Sequence, residues 1–265
     1  MKHYLITRFN LTNDDWREKH NADNPISEDW LDKRIKIFET YCFPSVKNQA
    51  NTDFDWLVLF DSKTPDRYRK NIADWKGQLP NFRPLFINGF LDLNKAILNY
   101  INDTAAKDNE FIITTRLDND DAIHVDFIKT IQENFKPQLG VIDLIKGYQL
   151  ILKPNGQHDA RLIEAAFNPF ISVISRLPNF KSVLSEEHHY WKDYHSSITI
   201  KDQRLWIQFV HGGNVLNRAF KFSRKSLKFK KTDFGFYKLL LEKKLFKKRV
   251  FNFITSPIYL INKIR

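Results

Sequence analysis

The stretch Phe111 to Ile123, FIITTRLDNDDAI, starts as an apolar run and ends in three carboxylates within four positions, Asp118, Asp120 and Asp121. Strands disfavour Asp, and the three charges repel one another. The run therefore reads as a strand over 110–118 that stops either at something positive or in a solvated turn. An EF-hand loop starting at Asp118 is excluded: it needs Gly at its sixth position and Glu at its twelfth, where this chain has Ile123 and Lys129. Two readings remain. One is a solvated turn whose Asp side chains cap a helix beginning near 125. The other is an Asp-x-Asp site, Asp118 and Asp120, for a hard divalent ion such as Mg²⁺ or Mn²⁺, which keeps waters and bridges phosphates.

Working outward, the first half alternates strand and helix signals. Strands are expected over 3–9, 54–61 and 82–87, besides 110–118. Helices are expected over 30–49, 64–77, 93–106 and 125–135. The first carries Leu31, Ile35, Phe38, Tyr41 and Cys42 on one face, with Pro44 set to kink or end it. The β-α repetition predicts an α/β fold, a mostly parallel sheet flanked by helices on both faces. Ligands bind such sheets outside the carboxyl ends of the strands, here TRFN, LFDSKTP and TTRLDNDD. The second half is less regular. Residues 140–154 read as two strands with a turn near Gly147, and 168–176 as another. Residues 204–215 hold a strand entering Gly212-Gly213.

The segments YLITRFN, FETYCFPSVKNQ, FDWLVLFDSKTP and ITTRLDNDDAI together resemble the putative rhamnosyltransferase family, within the GT-A glycosyltransferases, over roughly residues 3–220. The resemblance implies a GT-A (Rossmann-like) sheet, a nucleotide-diphospho-sugar donor and a metal-dependent, inverting transfer to a saccharide or glycolipid acceptor in cell-surface glycan assembly, with rhamnose as the named sugar. It implies that Asp118 contacts the donor ribose or the metal's water shell and that Asp120 ligates Mn²⁺ or Mg²⁺. Asp121 would support those ligands or cap the next helix. It also implies donor contacts at Asp61, at the end of the second strand, and at Arg8 and Asn10, at the end of the first. For Asp61 the alternative is an Asx turn opening the Thr64-Pro65 helix. For Arg8 it is a surface salt bridge. Arg116 points opposite to Leu117 and can meet diphosphate or the aspartates.

Inverting transfer needs a general base, and Glu186 or Glu187 in LSEEHHYW (184–191) fits the expected distance beyond the motif; a solvated helix start is the alternative. His211 is a candidate third metal ligand, as in some GT-A enzymes, with Gly212-Gly213 open to close phosphate approach; a turn after a buried strand is the alternative. Trp206 reads as core or acceptor-site wall, and Cys42 as core.

Charge is unevenly placed. The 265-residue chain carries +11, yet residues 221–265 hold 14 basic and 2 acidic residues while the body is close to neutral. A nucleic-acid enzyme would spread positive charge over its cleft, so no nucleic-acid partner is expected. The division reads as a transferase domain over 1–220 and a basic, apolar-rich helical extension over 221–265 suited to an anionic membrane surface. Phe234, Tyr237, Leu241 and Leu245 align on that helix, with Lys244 and Lys248 intruding. A single cysteine argues against an internal disulfide framework. With no signal peptide or apolar run of membrane-spanning length visible, a cytoplasmic protein, peripheral at the inner membrane face, is expected. Two other function classes share these residues: a non-catalytic nucleotide-sugar binding module, and a metal-dependent phosphohydrolase or nucleotidyltransferase.

Overall fold

The computed structural model describes residues 1–20, 23–106, 109–211, 223–242 and 245–264. In chain order the elements are β1 (Lys2–Arg8), α1 (Asp14–His20), α2 (Glu28–Ile37), α3 (Phe43–Lys47), β2 (Asp55–Asp61), α4 (Asp66–Gln78), β3 (Phe82–Ile87), α5 (Leu93–Thr104), β4 (Phe111–Arg116), β5 (Ala122–Ile123) and α6 (Phe127–Glu133). Then follow β6 (Gly140–Leu144), β7 (Lys146–Leu152), β8 (His158–Glu164), β9 (Ser172–Arg176), β10 (Ser196–Ile200), β11 (Trp206–Val210) and α7 (Leu245–Ile264).

Strict alternation along β1, β2 and β4 sends Leu5, Trp56, Val58, Phe60 and Ile113 to one face of a sheet and Tyr4, Ile6, Leu57, Leu59 and Ile112 to the other. Both faces are buried, so these strands read as continuous apolar runs. The first face packs Phe9, Phe38, Phe43, Trp75 and Phe82 into an aromatic cluster with α2, α3 and α4. The second is covered by Ile97 and Ile101 of α5 and by Trp191. The sheet has seven strands in the order β10-β6-β9-β4-β1-β2-β3. β9 alone runs against its neighbours, and the other pairs are parallel. This is the expected α/β arrangement, with helices on both faces.

A second sheet, β5-β11-β7-β8, lies beyond the aspartate turn. β5 follows that turn immediately and pairs antiparallel with β11, with Ile207 opposite Ala122. That short pairing brings the end of β11 over the aspartates.

Three local readings are corrected. The helix expected over 30–49 runs unbroken over 28–47 but is not regular: α2 and α3 are joined by a wide helical turn, Phe38–Cys42, in which the Phe43 N–H bonds the Phe38 carbonyl. Pro44 lacks an N–H, and in a regular helix its ring would collide with the carbonyl four residues back, so the extra residue in the turn relieves the clash. Phe38, Tyr41 and Cys42 nevertheless stay buried as the periodicity requires.

Gly147 makes no turn. It lies within β7 opposite Trp206, and the break between β6 and β7 falls at Ile145. A Cβ on Gly147 would sit 2.2 Å from the Trp206 ring, which itself stacks on Phe170 at 4.7 Å. Trp206 is thus core and cannot give way. Gly147→Ala is expected to destabilise the protein by about 1–3 kcal/mol, lowering its thermal midpoint by several degrees; an unchanged midpoint would show that the ring can move aside.

The third correction concerns the extension. Residues 223–242 are not helical apart from a short 3₁₀ turn, Lys231–Phe234, which ends at Gly235 in the left-handed region (φ 73°). The expected stripe does not form: Phe234 is buried while Tyr237 is 70% exposed. The backbone instead bonds along β8, with the His158 N–H on the Leu240 carbonyl and the Ser226 N–H on Ala160. Phe234, Phe236 and Leu239 join Tyr41, Leu150, Ile207 and Phe209 in a third apolar cluster, so this segment is packed into the body of the fold.

Candidate active site

Parallel pairing places the carboxyl ends of β1, β2 and β4 side by side. The Leu117 N–H bonds the Ile6 carbonyl, and the chain then turns, with the Asp121 N–H on the Asp118 carbonyl. Asn119 fastens this turn to β1 by donating to the carbonyls of Arg8 (3.1 Å) and Phe9 (2.5 Å). The Asp side chains do not cap a following helix: α6 starts at Phe127 and its N-cap, Asp126, makes no side-chain cap bond.

The positive charge beside these carboxylates comes from three arginines. Arg116 grips Asp118 with two bonds, Nε at 3.1 Å and Nη2 at 2.9 Å, and Arg8 lies 3.8 Å from the same carboxylate. Arg34, on α2, meets Asp120 at 2.7 Å and also donates to Asn119 Oδ1 at 2.9 Å. From β11, His211 Nε2 lies 3.2 Å from the same Asp120 oxygen.

The three carboxyls consequently differ. Burial opposes ionisation of Asp118, but Arg116 and Arg8 outweigh it and hold its pKa below the usual range. Burial acts likewise on Asp120, yet Arg34 and His211 bring its pKa down to about 2. Asp121 is pushed well above the usual range, by burial first and then by the charges of Asp120 and Asp118. It accepts the Phe209 N–H at 2.9 Å, which ties β11 to the turn.

Arg8, Arg116, Asp118, Asp120 and His211 are therefore gathered at one place. Glu187 reaches its edge: its carboxylate is 3.9 Å from Arg116 Nη1 and its side chain is 61% exposed. Glu186 turns elsewhere, pairing with Lys181 at 3.2 Å. Asp61 and Asn10 lie fully buried at the neighbouring strand ends. Asp61 accepts from Thr12 (N–H 3.1 Å, Oγ1 2.7 Å) and from the Lys63 N–H at 2.9 Å, the Asx turn itself. Asn10 donates to Thr64 Oγ1 at 3.0 Å and accepts the Asp61 N–H at 3.2 Å. Both side chains are engaged within the fold. Gly212-Gly213 lie outside the described residues.

Sequence reasoning missed Arg34 and Asn119. Arg34 had a signal: it sits three residues after Leu31 and four before Phe38, so it shares the buried stripe of its helix. A cation on such a stripe calls for a buried anion.

Among the described residues no three Asp, Glu, His or Cys side chains form a ligand set for a metal. Two donors do converge, Asp120 Oδ2 and His211 Nε2 at 3.2 Å, close to the ~3 Å between adjacent donors of an octahedron with ~2.1 Å bonds. Such a pair suits an ion completed by water and phosphate oxygens, as Mg²⁺ and Mn²⁺ commonly are, and not an all-protein cage; an ion there would share Asp120 Oδ2 with the Arg34 guanidinium, 2.7 Å away, or displace it.

Residues 2–222 match the family described as putative rhamnosyl transferase. The chain belongs to that family. Remote structural likenesses include TarS 1-349 of S. aureus in complex with UDP-GlcNAc, at 14% identity and TM-score 0.48, covering 83% of this chain and 62% of that one. TarS in complex with UDP is 16% identical with TM-score 0.43, covering 79% and 61%. The 4-diphosphocytidyl-2C-methyl-D-erythritol synthase of Anaerococcus prevotii is 8% identical with TM-score 0.31, covering 94% and 95%. The chain thus spans about three fifths of the length of the TarS 1-349 chains it matches. No curated protein matches it.

Proposed function

We propose that this chain is a glycosyltransferase that moves a sugar, rhamnose being the one its family is named for, from a nucleotide diphosphate to a hydroxyl of a saccharide or glycolipid acceptor, with inversion. The observation that carries this reading is the turn Asp118–Asp121 at the carboxyl ends of parallel strands, ringed by Arg8, Arg34 and Arg116 and closed by His211.

On this reading the guanidinium groups of Arg8 and Arg116 face the donor diphosphate, for which their planar forks are suited. Asp118, fixed by Arg116, is positioned for the ribose hydroxyls. Asp120 and His211 would hold Mn²⁺ or Mg²⁺, which when bound supplies Lewis-acid stabilisation of the leaving diphosphate. Glu187 takes the proton of the acceptor hydroxyl as its oxygen bonds to the anomeric carbon. The bond from that carbon to the diphosphate breaks, and the electron pair leaves with the phosphate oxygen, where Arg116 and Arg8 meet the developing charge.

The test is a thermal-shift screen of nucleoside diphosphates with and without Mn²⁺. At about 100 times Kd a ligand adds ~2.7 kcal/mol to the native state, or roughly 5–10 °C for a chain of this size. One diphosphate is expected to give that shift with Mn²⁺ and a smaller one without it. No shift from any of them would sink the donor assignment, and equal shifts with and without the ion would sink the metal. Product analysis adds a further check: cleavage between phosphates, not at the sugar–phosphate bond, would mark nucleotidyl transfer or phosphohydrolysis instead.

A further inference from the structure

Helix α7 has its polarity reversed. A helix lying on a protein normally buries its apolar stripe and exposes its charges. Here the face against the body carries Lys248, 6% exposed, whose ammonium donates to the Ser226 carbonyl at 3.3 Å. Beside it Asn252 brackets the Lys225 backbone, accepting its N–H at 2.7 Å and donating to its carbonyl at 2.9 Å, and Thr255 is buried as well. Phe251, on the same side, lies under Arg161 and Lys225.

The opposite face carries Phe246, Val250 and Phe253 at i, i+4 and i+7, exposed by 78%, 40% and 84%, flanked by Leu245 (53%) and Ile254 (66%). Exposed Lys247 and Arg249 border this stripe. Polar anchors fix the helix in this orientation, so its apolar face is held outward.

Two rings more than three-quarters exposed on one stripe call for an apolar occupant, and the charge around them selects which. Residues 245–264 contain Lys247, Lys248, Arg249 and Lys263 and no acidic residue, within a segment whose balance is +12. Two copies of so basic a surface repel each other, whereas an anionic bilayer attracts both the rings and their cationic border. No helix among the described residues is long and apolar enough to cross a membrane. We infer that α7 is an interfacial docking helix that lays Phe246, Val250, Phe253 and Ile254 into the headgroup boundary of an anionic lipid surface. This rests on α7 alone and is independent of the transferase chemistry.

The experiment is sedimentation of the full chain with vesicles of phosphatidylcholine alone or with 30% phosphatidylglycerol as probe. The full chain is expected to bind the anionic vesicles and to be released as salt rises from about 0.1 to 1 M. Phe246→Ser with Phe253→Ser should lower the partition coefficient at least about tenfold. Its thermal midpoint and donor hydrolysis should hold, because both rings are already in water. Lys247→Glu with Arg249→Glu should weaken binding to anionic vesicles specifically, which keeps the test informative if the serine variant folds poorly. Undiminished binding by both double variants would overturn the proposal. So would failure of the full chain to bind anionic vesicles, or a dimer in light scattering that the serine variant dissolves, since the occupant would then be a second copy.

Discussion

Asp120→Asn is expected to lower donor hydrolysis and sugar transfer by on the order of 10³-fold, since several kcal/mol of charge stabilisation depend on this carboxylate. Asp120 is where the site's elements meet: Arg34 arrives from α2 at 2.7 Å and His211 from β11 at 3.2 Å. An amide keeps one acceptor oxygen but loses the charge that holds both partners and would hold the ion. The fold should survive. Arg34 retains Asn119 Oδ1 at 2.9 Å and its stacking over Trp30 at 4.8 Å, so the stability cost should stay near 1–3 kcal/mol. Asp121→Asn is the matched control. Burial and its neighbours already disfavour the charge on Asp121, and an amide oxygen can accept the Phe209 N–H just as the carboxyl does. Measured together by donor turnover and thermal melting, the two variants should separate: Asp120→Asn folded and inactive, Asp121→Asn folded and within about tenfold of the parent. Turnover of Asp120→Asn within a few-fold of the parent would end its assignment.

What the sequence disclosed and withheld follows from the range of each interaction. The sheet was legible because burial on both faces writes itself as apolar runs such as WLVLF (56–60) and FIITT (111–115). The aspartate turn was legible because like charges at a strand end have no local justification. Arg34 lies 85 positions from Asn119 and His211 lies 91 from Asp120; where His211 falls is set by long-range ties, the two-residue β5–β11 pairing, the β11–β7 pairing and the Phe209 N–H on Asp121. Strands β8 and β10 went unread because β8 mixes charge with apolar residues, as in HDARLIE, and β10 is a half-exposed edge. The extension misled for another reason. Helical spacing at Phe234, Tyr237 and Leu241 was genuine in the sequence, but Gly235 and the backbone bonds to β8 overrode it, and the helix that does form begins at Leu245.

Glu186 and Glu187, indistinguishable in the sequence, are separated by the structure, and the separation makes a kinetic prediction. Glu187 is the residue before the 3₁₀ turn His188–Asp193, and its extended backbone (φ −70°, ψ 146°) brings the side chain toward Arg116, 3.9 Å away. The same Arg116 holds Asp118, so a donor bound at the aspartate turn would have Glu187 within reach of an incoming acceptor. Glu186 instead pairs with Lys181 on the exposed surface. Glu187→Gln is therefore expected to lower kcat by about 10²–10⁴-fold, the usual contribution of a general base. Donor affinity should change little, because the lost proton transfer acts in the chemical step. Glu186→Gln should leave kcat within a few-fold. A side chain that merely placed Arg116 would show a different pattern: its loss would raise the donor Kd along with lowering kcat, and Glu187→Asp would restore little. If Glu187→Gln keeps near-parental turnover with donor and acceptor saturating, the proton goes elsewhere. Two other carboxylates, Asp159 and Glu164 of β8, are held by Arg161 at 3.1 Å and by Arg204 at 3.2 Å respectively. That result would send the search to groups supplied with the acceptor.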